Sequence, residues 1–188
     1  MPGIRSLRSF GLAGSRRPCD TRMMIIRPEV ADDISAIRTL TEEAFAGSEH
    51  SSQTEGAIVD ALRKAGVLSL SLVAEENGSI VGHVAFSPVL IDGENCGWFG
   101  LGPVSVSPDL QRSGIGSNLV EEGLRLLASL GAQGCVVLGH PDYYRRFGFT
   151  SEHALSYGDV PREYFQSLLL NGNPAAGEVA YHEGFEAT

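Results

Sequence analysis

At residues 111–116 the chain reads Gln111-Arg112-Ser113-Gly114-Ile115-Gly116, between an apolar run and a periodic run. The apolar run predicts a strand over residues 97–106, and apolar residues recurring about every 3.6 positions predict a helix over residues 118–130. A glycine-bearing loop between strand and helix leaves unpaired N–H groups at the helix start, where the helix dipole adds partial positive charge. Because glycine has no Cβ, an anion can approach the main chain closely at Gly114 and Gly116. The stretch therefore predicts a cradle for phosphate.

The same stretch argues against two common phosphate-binding loops. A Walker A loop needs a lysine directly after its second glycine, and no lysine follows Gly114 or Gly116, which disfavours ATP or GTP hydrolysis. A dinucleotide fingerprint needs Gly-x-Gly-x-x-Gly near the start of a strand–helix–strand unit, and the spacing here is different. A different nucleotide-binding enzyme thus stays an alternative that the missing lysine disfavours.

Two motifs, in the right order, resemble those of the GNAT family of N-acetyltransferases. Gln111 to Gly116 matches Gln/Arg-x-x-Gly-x-Gly/Ala, the acyl-CoA pyrophosphate loop of that family. Tyr144 to Phe149 matches the family's Tyr-x-x-x-Gly-Phe. The likeness runs from about residue 24 to the C-terminus and is strongest to the YhbS-like members. It implies direct transfer of an acetyl group from acetyl-CoA, the co-substrate, to a primary amine of a small molecule or protein.

The resemblance also implies a fold and a cofactor site. The fold is α/β (α+β), with helices flanking a mixed, mostly antiparallel central sheet whose central strands splay apart to admit pantetheine. In that family the strand before the loop bonds the pantetheine amides, and the loop backbone binds the pyrophosphate. Carried over to this sequence, the cofactor-binding residues are Val104, Ser105, Val106, Gln111, Arg112, Ser113, Gly114, Ile115, Gly116 and Ser117. Arg112 has a second reading, as a solvated loop charge.

The resemblance assigns the general acid to Tyr144, four residues before Gly148, with its neighbour Tyr143 as the alternative. Acetyl transfer needs the amine to lose a proton, the tetrahedral oxyanion to be stabilised and the thiolate to be protonated. The sequence does not identify the base, and the candidates are Glu42, Glu43, His50, His83 and His140. Of these, His140 follows the central strand predicted over residues 134–138, a position that the family layout places close to the reaction centre.

Composition fits a single globular domain of 188 residues, with 43% hydrophobic and 20% charged residues. The formal net charge is −9, and residues 1–22 hold five arginines against one acid, so the rest of the chain is more acidic still. An acidic body disfavours nucleic acid and anionic membranes as partners and suits a cationic amine. No apolar run approaches the roughly 20 residues that cross a bilayer.

Cysteine and histidine spacing indicates neither disulfides nor a metal. Cys19, Cys96 and Cys135 form no Cys-x-x-Cys pair, so we expect a reducing, cytoplasmic setting, with Cys135 in the core. The five histidines are scattered without metal-ligand spacing, and no metal site is expected.

The basic segment over residues 1–22 is expected to be a disordered extension, with the acetyltransferase domain over residues 23–188. A transit peptide and an upstream start codon are the alternatives for the extension.

Periodicity predicts a regular alternation of strands and helices after that segment. Asp32 or Asp33 is expected to cap the first helix, and Glu76-Asn77-Gly78 to turn a hairpin. In chain order, the expected elements are a strand at 24–27, helices at 32–46 and 54–65, strands at 68–75, 79–90 and 97–106, a helix at 118–130, a strand at 134–138, a short helix at 141–147, a strand from Phe149, a helix at 161–170 and a strand at 177–183.

Two questions stay open at the level of sequence. A phosphate loop does not guarantee turnover, so a non-catalytic acyl-CoA-binding or sensing domain is the alternative to an enzyme. The segment over residues 150–188, with Tyr164, Phe165 and Tyr181, is read as part of an acceptor pocket, as ordinary packing or as a homodimer contact.

Overall fold

The computed structural model describes residues 24–46 and 54–187. Its α-helices are α1 (Ile34–Phe45), α2 (Glu55–Lys64), α3 (Ile115–Ser129) and α4 (Pro141–Tyr144). Its strands are β1 (Met24–Pro28), β2 (Leu70–Glu76), β3 (Ser79–Ile91), β4 (Glu94–Val106), β5 (Gly134–Leu138), β6 (Ala154–Ser156), β7 (Phe165–Leu169) and β8 (Ala176–Ala180). Short 3-10 helices lie at Ala31–Asp33, Pro108–Leu110, Arg145–Phe147 and Glu183–Glu186. The extension expected over residues 1–22 lies outside the described residues.

These strands form one mixed sheet. Six of them follow the order β1-β2-β3-β4-β5-β7, and β8 pairs with both β3 and β6. The β4–β5 and β6–β8 pairings are parallel and the others are antiparallel. No helix among the described residues is both long enough and apolar enough to cross a membrane.

Helices cover both faces of the sheet, as two adjacent residues of β2 illustrate. Leu72 belongs to a core cluster with α3, whereas Val73 packs with Ile37 of α1 and Val59 of α2. Because successive strand side chains point to opposite faces, α3 lies on one face and the α1–α2 pair on the other. The predicted mixed, mostly antiparallel sheet flanked by helices is therefore confirmed.

Asp33 is the N-cap residue of α1, but its side chain does not cap that helix as expected, because it makes no hydrogen bond to the first turn. Asp33 Oδ2 accepts a hydrogen bond from the backbone N–H of Val30 at 2.8 Å, which satisfies a donor at the entry to the helix. Both oxygens of Asp33 also accept from the guanidinium of Arg27 on β1, so the acid ties the helix start to the sheet. Arg27 lowers the pKa of this carboxyl below its usual value, mainly through these hydrogen bonds.

The helix predicted over residues 161–170 is wrong. Phe165–Leu169 instead forms β7, which pairs antiparallel with β5 from Gly134↔Leu169 to Leu138↔Phe165. This pairing covers an edge of β5 that would otherwise carry unsatisfied backbone groups, and that gain outweighs local helix propensity. The strand expected from Phe149 is a single bridge, Thr150↔Ser167.

The splay expected between the central strands lies between β4 and β5. Their pairing covers only Trp98–Leu101 against Gly134–Val137. From Gly102 onward β4 keeps β3 on one side and has no strand of the described chain on the other. Gly102 has φ +146, a conformation that other residues rarely adopt, and Pro103 has no N–H to donate to a ladder. The sheet is thus open on one side of residues 102–106.

We expect Gly123→Ala to lower the free energy of unfolding by about 1–3 kcal/mol, although alanine favours a helix by about 1 kcal/mol. A Cβ at Gly123 of α3 would overlap the ring of Phe86, which is fully buried. Urea denaturation measures the change, with Glu121→Ala on the exposed face of α3 as the control, expected within about 0.5 kcal/mol of wild type. A more stable Gly123→Ala variant would contradict this packing.

Candidate active site

The predicted phosphate loop leads directly into α3. The helix begins at Ile115, three residues earlier than expected, and its first helical bond runs from Asn118 N to Gly114 O at 3.0 Å. Backbone N–H groups at residues 115–117 therefore have no intrahelical acceptor. Gly114 has φ +95, which glycine adopts without strain, and the buried Ile115 side chain fastens the helix start to the core.

The loop before α3 is held by its own side chains. Gln111 Nε2 donates to Val106 O at 3.4 Å, and Ser113 Oγ donates to Leu110 O. Arg112 has φ +61, so this non-glycine residue is in the left-handed region. Such strained conformations cluster at functional sites because the surrounding structure has to enforce them.

Two adjoining cavities follow the opening in the sheet. The one beside the loop, called the loop cavity, measures about 600 Å³. Its lining residues are Ala44, Phe45, Val104, Val106, Gln111, Arg112, Gly114, Gly116, Ser117, Tyr143, Tyr144 and Arg146. The other, called the aromatic cavity, measures about 500 Å³. Its lining residues are Phe45, Glu55, Ile58, Leu101, Gly102, Pro103, Val104, Leu138, Gly139, His140, Tyr143, Tyr144, Tyr157, Tyr181 and Phe185. Both cavities share Phe45, Val104, Tyr143 and Tyr144, so they meet where β4 leaves β5.

The open side of β4 presents backbone groups to these cavities. Ser107 N donates to Val81 O of β3 at 3.0 Å, and the ladder continues with Ser105 opposite His83. Because antiparallel pairing alternates, the N–H and C=O of Val104 and Val106 face away from β3, into the opening. The Ser105 side chain is fully buried, and its Oγ donates to Thr41 Oγ1 of α1 at 3.1 Å.

The adjacent tyrosines of α4 occupy different places. A Cβ on Gly139 would overlap the Tyr144 ring, so Tyr144 lies against the backbone at the end of β5. A Cβ on Gly116 would lie 3.1 Å from Tyr143 Oη, so Tyr143 reaches the start of α3. The guanidinium of Arg146 stacks on the Tyr143 ring, 4.7 Å from its centroid. Both tyrosines border both cavities, but the Tyr144 ring lies at the end of β5, whereas the Tyr143 hydroxyl lies toward the loop.

Burial raises the pKa of Tyr144 above its usual value near 10, with smaller contributions from Tyr143 and Cys135. The Tyr144 hydroxyl therefore holds its proton at neutral pH. Cys135 lies in the core, as expected, and burial raises the pKa of its thiol as well.

Of the five candidate bases, His140 lines the aromatic cavity. Its side chain is exposed at the rim, and Nδ1 lies 3.9 Å from Asp142 Oδ2. Glu42 is paired with Arg38, and Glu43 borders a separate depression beside Arg27. His50 lies outside the described residues.

His83 is buried on the other side of β4 from the opening. Ser71 Oγ donates to Glu29, so His83 Nε2–H donates to Ser71 Oγ at 2.8 Å. Burial is the main cause that lowers the pKa of His83 to about 4. His83 is inaccessible and lies outside both cavities, so its role is structural, within the sheet.

Sequence reasoning missed several residues of the cavities, among them three that matter for charge and shape. Glu55, in the first turn of α2, lines the aromatic cavity as the one carboxylate among its described residues. Phe45 ends α1 and lines both cavities, and Arg146 lines the loop cavity. Of these three residues, only Arg146 could have been suspected from the sequence, because it lies within the Tyr-x-x-x-Gly-Phe motif. In the part of the chain that the structure describes, no three metal-ligating side chains come together.

The sequence resembles known proteins over most of its length. Residues 68–151 match the acetyltransferase (GNAT) domain family. The chain is 37% identical over 169 residues to the uncharacterized N-acetyltransferase YhbS of Escherichia coli K12, covering 86% of this chain and 98% of that protein. It is 34% identical over 119 residues to the uncharacterized N-acetyltransferase YjhQ of the same organism, covering 62% of this chain and 64% of YjhQ.

Two solved structures share the fold. A GNAT family acetyltransferase from Brucella melitensis, crystallised with acetyl-CoA, is 51% identical with a TM-score of 0.79, covering 87% of this chain and 99% of that one. The crystal structure of Escherichia coli YhbS with CoA is 35% identical with a TM-score of 0.81, covering 88% of this chain and 93% of that one.

We expect acid to destabilise the protein through His83. The unfolded chain takes up the proton near pH 6.5 and the folded chain only near pH 4, so the stability that the neutral ring provides is complete above pH 6.5 and is lost toward pH 4. Between pH 7.5 and 5.5 this loss is about 1.4 kcal/mol. Urea denaturation at both pH values measures the free energy of unfolding. Its loss between the two pH values should be smaller in His83→Gln than in wild type by that amount. An equal loss in wild type and variant would contradict the buried, neutral histidine.

Proposed function

The chain belongs to the GNAT family of acetyltransferases, and from that membership we propose that it moves the acetyl group of acetyl-CoA directly to a primary amine of a small molecule or protein. The observation that carries the proposal is the junction of the two cavities at Val104 and Tyr144. A thioester that enters from the loop cavity would meet there an amine that enters from the aromatic cavity.

The loop cavity would hold the pyrophosphate of acetyl-CoA. Backbone N–H groups at the start of α3 would donate to the phosphate oxygens, and the helix dipole favours the negative charge. Arg112 and Arg146 line this cavity and would supply positive charge to an otherwise acidic chain. The proposed set is Gln111, Arg112, Ser113, Gly114, Ile115, Gly116 and Ser117, with Arg146 added.

The open side of β4 would hold the pantetheine arm. The backbone groups of Val104 and Val106 that face the opening would bond its amides as a neighbouring strand would. Ser105 lies between Val104 and Val106, and it would help by holding the strand in place. Its Oγ donates to Thr41 Oγ1 and so ties this part of β4 to α1. An N–H of β4 near the thioester would also polarise the acetyl carbonyl.

The proposed reaction is a single displacement at the acetyl carbon, in which the amine replaces the sulfur of CoA. The neutral amine attacks the acetyl carbon, and the tetrahedral intermediate then loses CoA as its C–S bond breaks. Tyr144, protonated at neutral pH, would give its proton to the leaving sulfur. The proton lost by the amine would pass through water toward Glu55 or His140 and from there return to Tyr144, which restores the free enzyme. A phenol is a weaker acid than a thiol, so positioning rather than acidity has to make Tyr144 effective.

Direct transfer is favoured over a covalent acetyl-enzyme. A covalent route needs a nucleophilic side chain at the thioester. The described lining of the aromatic cavity includes no serine, threonine, cysteine or lysine. Cys135 lies on β5, shortly before the cavity residues Leu138 and Gly139, but it is buried in the core with its thiol protonated.

We also propose that the protein works in the cytoplasm, as the cysteine pattern of the sequence predicts. Cys96 and Cys135, the described cysteines, are free, which suits a reducing cytoplasm. Acetyl-CoA and an amine are the proposed partners, and a homodimer stays a prediction. A non-catalytic acyl-CoA-binding domain is the second candidate, and turnover separates the two.

We expect Tyr144→Phe to lower kcat by about 100-fold or more while the affinity for acetyl-CoA is unchanged, because only proton transfer to the sulfur is lost. Steady-state rates of CoA release with a reactive amine, together with acetyl-CoA titration, measure both quantities. Tyr143→Phe is the matched control, since its hydroxyl lies at the loop, and it should keep most of kcat. Full kcat in Tyr144→Phe would remove the general acid from this residue.

We expect Arg146→Ala to weaken acetyl-CoA binding about tenfold, because a phosphate in the loop cavity would lose a charged partner. Thermal unfolding of the full chain measures binding, and acetyl-CoA at 100 times Kd should raise the wild-type Tm by roughly 5 °C or more. Arg145→Ala, an exposed neighbour outside the cavity, should bind as wild type does. ATP and NAD should give no shift.

Two outcomes would overturn parts of this function. No stabilisation of the wild type by acetyl-CoA would remove the cofactor site and the transferase with it. Stabilisation without acetyl transfer to any amine would favour the non-catalytic acyl-CoA-binding domain.

A further inference from the structure

The aromatic cavity is walled by rings that come from four parts of the chain. Phe45 comes from α1, the tyrosines Tyr143 and Tyr144 from α4, Tyr157 from the segment after β6, and Tyr181 and Phe185 from the segment after β8. These rings are the largest side chains of its lining. A wall of this kind buries a flat, apolar body well.

The rings hold one another in place. Tyr181 packs edge-on against Tyr157 at a centroid distance of 5.0 Å and against Phe185 at 4.8 Å. A Cβ on Gly100 would overlap the Tyr181 ring, so this ring lies directly on β4. Tyr143 and Tyr144 form a second edge-on pair at 4.9 Å on the opposite element. These contacts hold the rings of the wall in place before an acceptor binds.

The charge of the cavity suits a cation and not an anion. Glu55 is its one described carboxylate, and no lysine or arginine stands among its described lining residues. The faces of aromatic rings carry negative potential, so they also attract an ammonium group. Arg112 and Arg146 line the loop cavity but not the aromatic cavity. A carboxylate in the aromatic cavity would meet Glu55 and would find no lysine or arginine among the described residues of the lining.

The size and the apolar wall of the cavity favour a small molecule over a polypeptide. The cavity of about 500 Å³ is at the small end of ligand sites. Its far wall, the 3-10 helix that carries Phe185, packs on α2, where Gly184 lies against Leu62. A peptide there would bury amides among aromatic rings, which costs free energy when they find no partners.

From these observations we infer that the acceptor is a small primary amine with an aromatic or similarly flat apolar body and no anionic group. The ammonium is drawn in by Glu55 and the ring faces, and the amine loses its proton before it attacks the thioester at Tyr144. The inference rests on the proposed function, because it names the acceptor of that transfer.

The test compares four amines with acetyl-CoA and the full chain. 2-Phenylethylamine, phenylalanine, ethylamine and a short peptide with a free amino terminus are assayed for CoA release and for the acetylated product. Phenylalanine differs from 2-phenylethylamine only by a carboxylate, and ethylamine differs only by the missing ring. We expect kcat/KM for 2-phenylethylamine to exceed that of phenylalanine by about 100-fold and that of ethylamine by about 30-fold.

Two variants test the residues that carry the inference. Phe185→Leu keeps an apolar wall but removes a ring face, and should lower kcat/KM for 2-phenylethylamine about fivefold. Glu55→Gln should raise KM for that amine about fivefold or more, with KM for acetyl-CoA unchanged. Glu94→Gln, an exposed acid at the start of β4, is the matched control. If acetyl-CoA KM shifts as much as amine KM in Glu55→Gln, Glu55 acts on the structure and not on the amine.

The outcomes separate this inference from the proposed function. A preference for phenylalanine, ethylamine or the peptide over 2-phenylethylamine overturns the inference and leaves an acetyltransferase. Binding of acetyl-CoA without transfer to any of the four amines overturns the inference and favours the non-catalytic domain. Failure to bind acetyl-CoA overturns the proposed function itself.

Discussion

The site depends on how far β4 and β5 stay paired. They share hydrogen bonds over only four residues of each strand, from Trp98 to Leu101 on β4. Beyond that point β4 continues for five residues with no strand of the described chain on one side, and both cavities lie along that side. Had the pairing continued to Val106, the opening and both cavities would have been closed by backbone hydrogen bonds.

Glycines around this opening allow rings to reach the backbone. Gly139 at the end of β5 admits the Tyr144 ring, and Gly100 on β4 admits the Tyr181 ring. A methyl group at either position would push a ring of the aromatic cavity away from the sheet. The conformation of the active-site rings is therefore encoded partly in residues that have no side chain, a dependence that neither motif reveals.

Local pattern predicted most elements, and it failed where distant strands decide the structure. The loop at residues 111–116, the hairpin at Asn77-Gly78 and the strand Gly134–Leu138 were predictable because each has its own short-range signal. Phe165–Leu169 was mistaken for a helix, since its partner strand β5 is about 30 residues away and no periodicity reveals that pairing. The loop that borders the loop cavity was likewise predictable, whereas Glu55 and Phe45 reach the cavities only through the packing of α1 and α2.

The four residues common to both cavities have a consequence for the order of events. With a thioester seated between Val104 and Tyr144, the cofactor itself would complete one wall of the aromatic cavity. An amine arriving first would find an unfinished pocket, and an amine arriving second a finished one. Under the proposed direct transfer, binding would then be ordered, with acetyl-CoA bound before the acceptor. Initial-rate lines would intersect rather than run parallel.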